Sequence, residues 1–252
     1  MGENKMNKKA ELTTAQLVGL IVIIVSFVVI LILFFRLNLG EQTNKEICHN
    51  SVVLKSKTEG FVGSLDCRTD YTCVSGGSDC AGLSSSSNVK VDASDKEAIM
   101  KVLADKMSDC WWQFGEGKAN YLGISDRSGW GTDSCAVCSV VEFDKDVSDK
   151  NAQITYREFY NYLSSTQKGD RTYFSYLYGS NDINDFQSKI SYLQVDLDKD
   201  LIISDGKYAV VTGVKQGAYW GKATSDVFIY PYYLKSDGIN SQFGCDEFIT
   251  KA

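Results

Sequence analysis

Proline occurs once in 252 residues, histidine once and arginine only five times. Each shortage removes something. With so few arginines, a net charge of −6 and a pI near 4.9, the chain lacks the basic footprint that nucleic-acid binding requires, so no nucleic-acid partner is expected. The single histidine, His49, confines any Cys–His or Ser–His–Asp centre to one position, and its plainer reading is a polar residue beside a disulfide. No Asn-x-Ser/Thr sequon occurs, so N-glycosylation marks no exposed face. No internal repeat is present, and no cysteine precedes residue 48. Apolar residues at 44% and charged residues at 23% leave wholesale disorder out of account.

The longest feature present is the run "LVGLIVIIVSFVVILILFF", residues 17–35, with Ser26 as its only polar side chain. As a helix it extends roughly 28 Å, close to the hydrocarbon thickness of a bilayer. "RLNLGEQ" follows it where a secretory signal would have a small-residue cleavage site, so the run is expected to be retained. The lipid bilayer is therefore the expected partner of residues 17–35. Lys5, Lys8 and Lys9 precede the run and Arg36 and Lys45 follow it, which favours a cytoplasmic N-terminus by a narrow margin.

Cysteine placement points the same way. Cys48, Cys67, Cys73, Cys80, Cys110, Cys135, Cys138 and Cys245 all follow the apolar run, an even number on one side as an oxidising compartment favours. The expected location is the cell membrane, single-pass, with the bulk of the chain outside. The expected organisation is a basic segment or leader over 1–10, a transmembrane helix over 11–37, a Cys-rich juxtamembrane segment with a Gly/Ser linker over 38–90, and an extracytoplasmic domain over 91–252.

Within that domain, "SDKE" predicts a helix capped by Ser94 and Glu97, with Ile99, Leu103, Met107, Cys110 and Phe114 on one apolar face and Gly115 and Gly117 ending it. Thr155 and Glu158 mark a second start, with Ile154 and Phe159 as a hydrophobic staple over "YREFYNYLSS". "TYFSYLYG" reads as a further short helix or a turn. Residues 135–143, 207–216 and 226–235 read as strands, the last two as an antiparallel pair, with Pro231 at a sheet edge or bulge. The fold class expected is α+β, a disulfide-stabilised mixture of helices and antiparallel strands behind an N-terminal transmembrane helix.

"CAVC" places Cys135 and Cys138 at a spacing shared by redox centres, zinc sites and structural disulfides. A thioredoxin-type pair opens a helix, whereas "SVVEF" follows here, so structural bridges lead. By alternation along a strand Cys135 shares a face with Val137, Val141 and Phe143, and Cys110 is its expected partner. The alternatives are an extracytoplasmic thiol–disulfide oxidoreductase using Cys135 and Cys138, and zinc held by these two with Cys48 and His49. "FGEGK" (114–118) resembles part of a phosphate loop, but it ends a helix and Ala119 stands where a hydroxyl should hold magnesium. "DLDKDLIISDGK" opens like a calcium loop with Asp196, Asp198 and Asp200, yet has Leu201 and Lys207 where glycine and glutamate belong, so a solvated acidic turn is expected. The aromatic groups "WWQF", Trp130, "YREFYNY", "TYFSYLY" and "YPYYL" read as packing before they read as a glycan or peptide surface. No catalytic residue, metal or cofactor is expected.

"NKKAELTTAQLVGLIVIIVSFVVILILFF" resembles a type IV pilin or archaellin leader. The resemblance implies cleavage in the context Lys8, Lys9 and Ala10, with Glu11 as first mature residue and the apolar helix packed into a filament. Ala10 stands in place of the commoner glycine, and Ala15 in place of the glutamate of bacterial pilins. Together with "FRLNLGEQTNKEICHNSVVLKSK" the chain also resembles uncharacterised single-pass membrane proteins of small-genome archaea, which implies architecture and no activity. The expected function is a structural or interaction role at the cell surface, through self-association or contact with other surface proteins. A filament subunit is the alternative, and the oxidoreductase the second.

Overall fold

The structure, a computed structural model, describes residues 14–36, 39–58, 64–119, 121, 134–151, 154–180, 182, 197–198, 201, 207–215, 224–231 and 247–251. The chain divides into two compact units, Met1–Thr43 and Asn44–Ala252. In the first, α1 (Thr14–Arg36) is a helix despite its many β-branched residues. All fourteen large apolar side chains from Leu17 to Ile32 are 39–67% exposed. The one hydroxyl among them, Ser26, donates to the Val22 carbonyl at 2.8 Å. Side chains are described over residues 16–32, a length of about 25 Å; among the described residues no helix is long and apolar enough to cross a membrane.

The second unit is built on a six-stranded sheet, with a separate two-stranded antiparallel pair of β4 (Gln167–Lys168) and β5 (Arg171–Thr172). β1 (Asp70–Ser75) runs parallel to β2 (Ser87–Lys90) on one side and to β3 (Ser134–Phe143) on the other. β3 continues antiparallel to β6 (Lys207–Lys215), which pairs antiparallel with β7 (Thr224–Pro231), and β8 (Glu247–Phe248) joins β3 in parallel. The sheet is therefore mixed, and the expectation of antiparallel strands alone is corrected. The cause is α3 (Lys96–Gln113), which crosses over between β2 and β3 and returns the chain in the same direction. Pro231 ends β7 at the outer edge, where its missing N–H interrupts no central ladder.

α3 lies against β3, β6 and β7, and carries α5 (Tyr156–Ser165) and α6 (Tyr173–Tyr178) on its other side. Ile99, Leu103, Met107, Cys110 and Phe114, the face read from the sequence, are all fully buried. Its cap differs by one position. Asp92 takes both the N–H and the hydroxyl of Ser94, and Asp95 caps the helix instead, accepting from the Ala98 N–H at 2.9 Å. Thr155 caps α5 as expected, accepting from Glu158 N–H, but the Glu158 carboxylate reaches Lys96 across to α3 and does not close the box. Gly179 at φ 68° ends α6.

Three disulfides join described cysteines: Cys48–Cys67, Cys73–Cys80 and Cys110–Cys138. The last corrects the expected Cys110–Cys135 bridge. A bulge between Val137 and Ser139 inserts one residue into β3, so every later side chain falls on the face opposite to that assigned by simple alternation. Val141 and Phe143 thus part company with Cys135, and Cys138 is the thiol brought to α3. Cys135 lies across from Gly213, its sulfur 3.4 Å from where a Cβ there would stand, and is itself disulfide-bonded. Cys245 lies outside the described residues.

The Gly/Ser stretch 75–88, expected as a linker, is instead held to the sheet. Asp144 follows β3 and begins α4 (Lys145–Asn151), where one carboxylate oxygen accepts from Val147 N–H at 2.9 Å. The other oxygen accepts from the backbone N–H groups of Gly76, Gly77 and Ser78 at 2.8, 3.2 and 2.9 Å. Further along the same loop, the Glu142 carboxylate takes the Gly82 N–H and Lys207 donates to the Gly82 carbonyl. A buried ion pair, Lys106–Asp70 at 2.5 Å, ties α3 to the start of β1, and Thr72 and Ser86 donate to the same carboxylate. With these partners, residues 64–90 belong to the same compact unit as the rest of the sheet.

Non-reducing peptide mapping is expected to recover the 48–67, 73–80 and 110–138 linkages, with Cys135 and Cys245 left for each other by count. Removing the Cys110–Cys138 bridge by a double serine substitution should cost about 3–4 kcal/mol for a loop of this length. A second expectation concerns acid. Burial alone would raise the Asp144 carboxyl, but the N–H groups of Val147, Ser78 and Gly76 outweigh it and hold it below the usual range. Its contribution is complete above the unfolded value of about 3.9 and is lost as pH falls through the lower folded pKa. Asp144→Asn should cost about 2–3 kcal/mol at pH 7. In urea melts the gap between variant and wild type should narrow steadily below pH 4.

Candidate functional site

One face of α2 (Leu39–Lys57) runs along the C-terminal half of α3. Lys45, His49, Val53 and Ser56 recur at helical spacing on that face. Lys45 pairs with Asp109 at 2.7 Å, and one turn further the imidazole of His49 stacks on the Trp112 indole, centroids 4.1 Å apart and planes 8° from parallel. The His49 Nδ1 lies 2.7 Å from the Trp112 carbonyl oxygen. A carbonyl only accepts, so Nδ1 is the donor in this contact. Buried Val52 and the Cys48–Cys67 bridge fix α2 from behind.

Beyond the stack the two helices end side by side around a cavity of about 380 Å³. Val53, Trp112 and Ala119 give it apolar walls, and Ser56, Lys57 and Lys118 supply donors. Its floor is the turn that stops α3. Gly115, Glu116 and Gly117 have φ of 78°, 56° and 70°, three left-handed residues in succession. Gly117 has no alternative, since a Cβ there would stand 2.8 Å from the Trp111 ring. Glu116 is the strained member, at a cost of order 1–3 kcal/mol. It is held by Lys118 at 2.7 Å and by the Tyr176 hydroxyl at 2.8 Å. The Lys118 hydrogen bond, reinforced by Tyr176, keeps the Glu116 carboxyl below its usual range, while burial and Glu116 itself push the Tyr176 hydroxyl up.

Among the described residues no hydroxyl or thiol is hydrogen-bonded to His49, whose Nδ1 faces a carbonyl and not a carboxylate, so neither a nucleophile–base pair nor a triad is assembled. The remaining sequence candidates divide as follows. Cys138 is bonded to Cys110, so a Cys135–Cys138 redox pair does not form, and all three sulfurs sit in residues at most 4% exposed. The zinc set with Cys48 and His49 is also corrected, because Cys48 is bonded to Cys67. No cluster of three or more metal-binding side chains is found among the described residues. Asp198 is held by Arg157 through two bonds of 2.7 and 3.1 Å. Asp196, Asp200, Trp130 and the expected leader residues Lys8, Lys9, Ala10 and Glu11 lie outside the described residues.

"FGEGK" is legible in the sequence as a helix stop but not as the floor of a cavity. The Gly-x-Gly after "WWQF" was the available signal. The α2 wall left less trace, since "HNSVVLKSK" has no strong apolar stripe.

His49→Ala should cost about 1–2 kcal/mol, the sum of a lost ring stack and a lost hydrogen bond. His49→Phe keeps the stack and should recover part of it, as read by urea denaturation.

No protein-family model, curated protein or solved structure matches this chain.

Proposed function

We propose that this is a membrane-anchored protein whose disulfide-stabilised α/β domain lies outside the cell and serves a structural or interaction role at the surface. The observation that carries the reading is α1. Fourteen large apolar side chains over residues 17–32, interrupted only by Gly19 and Ser26, are exposed on every side of the helix. A helix apolar all round has no polar face to give to water, and it is stable where lipid or protein surrounds it. Ser26 satisfies its hydroxyl within the helix, as a hydrocarbon environment demands. The apolar sequence continues to Phe35 within the α1 backbone, which brings the run to bilayer length.

Side and compartment rest on the cysteines. Every one follows α1, and no described cysteine is free, which fits an oxidising environment for Asn44–Ala252. The role as surface structure or interaction partner, through self-association or contact with other proteins, is supported by a site of apolar walls and donor groups.

Membranes from cells making the full chain are expected to retain it through alkaline carbonate extraction. Protease added to intact cells should remove the disulfide-bonded domain. Ile24→Lys raises the insertion free energy by about 3–4 kcal/mol and should shift the chain to the carbonate-soluble fraction. Release of the unmutated chain by carbonate would defeat the reading. A mature chain beginning at Glu11 would redirect it to a filament subunit.

A further inference from the structure

We propose that the cavity between the ends of α2 and α3 is a binding site for a small monocarboxylate with an apolar, ring-sized body. The charge balance argues for one negative charge. Lys118 is matched by Glu116 at 2.7 Å, and that carboxylate is further occupied by Tyr176. Lys57 also lines the cavity and has no described partner, so among the described lining residues one ammonium is left over. A monoanion neutralises it, whereas a dianionic phosphate ester would bring a second charge with no cation to meet it.

The neutral lining is donor-rich in the same sense. The Ser56 hydroxyl and the Ala119 backbone N–H have no described acceptor, and the Trp112 indole N–H has none either. A carboxylate offers two acceptor oxygens to such donors, while an ammonium offers no acceptor. The body of the ligand is set by the walls. Val53 and Ala119 are apolar, and the Trp112 indole is held flat by the His49 stack, so its plane is in place before anything binds. A volume of about 380 Å³ lies within the range of small-molecule pockets and accommodates one aromatic acid. The Gly115–Gly117 turn at this mouth is held by Tyr176 and Lys118 through Glu116. The proposal stands on residues 49–119 and 176 and does not depend on membrane anchoring.

The test uses the full chain in detergent micelles, with 4-fluorophenylacetate as probe and fluorine NMR line broadening as readout. Empty micelles correct for partitioning. Saturable one-to-one binding is expected, at least tenfold tighter than that of 4-fluorobenzyl alcohol or 4-fluorobenzylamine. Lys57→Met should weaken the acid tenfold or more and leave the alcohol unchanged, and Lys55→Met, on the neighbouring position outside the cavity, should change neither. Val53→Trp should fill the space and abolish binding, with unchanged far-ultraviolet circular dichroism showing that the domain is folded. No saturable binding of the acid overturns the proposal, as does equal binding of acid and alcohol. An unaltered affinity in Lys57→Met overturns it as well. Tighter binding of 4-fluorobenzyl phosphate than of the acid would overturn the assignment to a monocarboxylate.

Discussion

The hydrogen-bonded ladder of β3 organises nearly everything in the second unit. β1, β6 and β8 all pair with this one strand, and through β1 and β6 it holds the two outer strands as well. Almost every residue of β3 is buried, so neither face can be left to solvent. Its bulge at Val137–Ser139 is the adjustment that lets one strand serve both faces. The inserted residue turns Cys138 toward α3, and the resulting bridge to Cys110 fastens the helix that closes the core.

Around that ladder, polar groups do the fastening that a thin apolar segment could not. Residues 64–90 contribute few large side chains to the core, yet Asp144, Glu142, Lys207 and the Lys106–Asp70 pair each hold part of them. The burial of Lys106 and Asp70 carries a desolvation cost, which Thr72 and Ser86 offset by donating to the carboxylate. The segment is thus stabilised by backbone N–H groups meeting carboxylates fixed at the end of β3. Loss of one such carboxylate frees several donors together, which makes these positions more sensitive than their place in loops suggests.

Local signals in the sequence were legible where local physics decides. The buried stripe of α3, the Thr155 cap and the β6–β7 pairing all follow from spacing and turn chemistry. Asp95 displaced Ser94 as cap because Asp92 competed for Ser94, a contest between near-equal side chains that no pattern resolves. The Cys135 partner was misread for a different reason. Period-two alternation carries no mark of an inserted residue, so one bulge reverses every later assignment. The parallel pairing of β1 with β3 was invisible for the same kind of cause, since it depends on a crossover between distant segments. Of the candidate site, the glycine turn was visible and the cavity was not, because its other wall belongs to a helix about sixty residues away.

The order of the cysteines along the chain gives the Cys110–Cys138 bridge a consequence for biosynthesis. Cys48–Cys67 and Cys73–Cys80 link neighbours, so a chain oxidised as it emerges meets the correct partner first. Cys110 does not. Cys135 precedes Cys138, so a chain oxidised strictly in order of emergence would join Cys110 to Cys135 first, before the bulge and the pairing of β3 with β6 bring Cys138 to α3. Reaching the native pairing then calls for thiolate attack on that early bridge and exchange of partners. A host cell that oxidises thiols without reshuffling them would accumulate a chain with the right number of disulfides and a displaced α3.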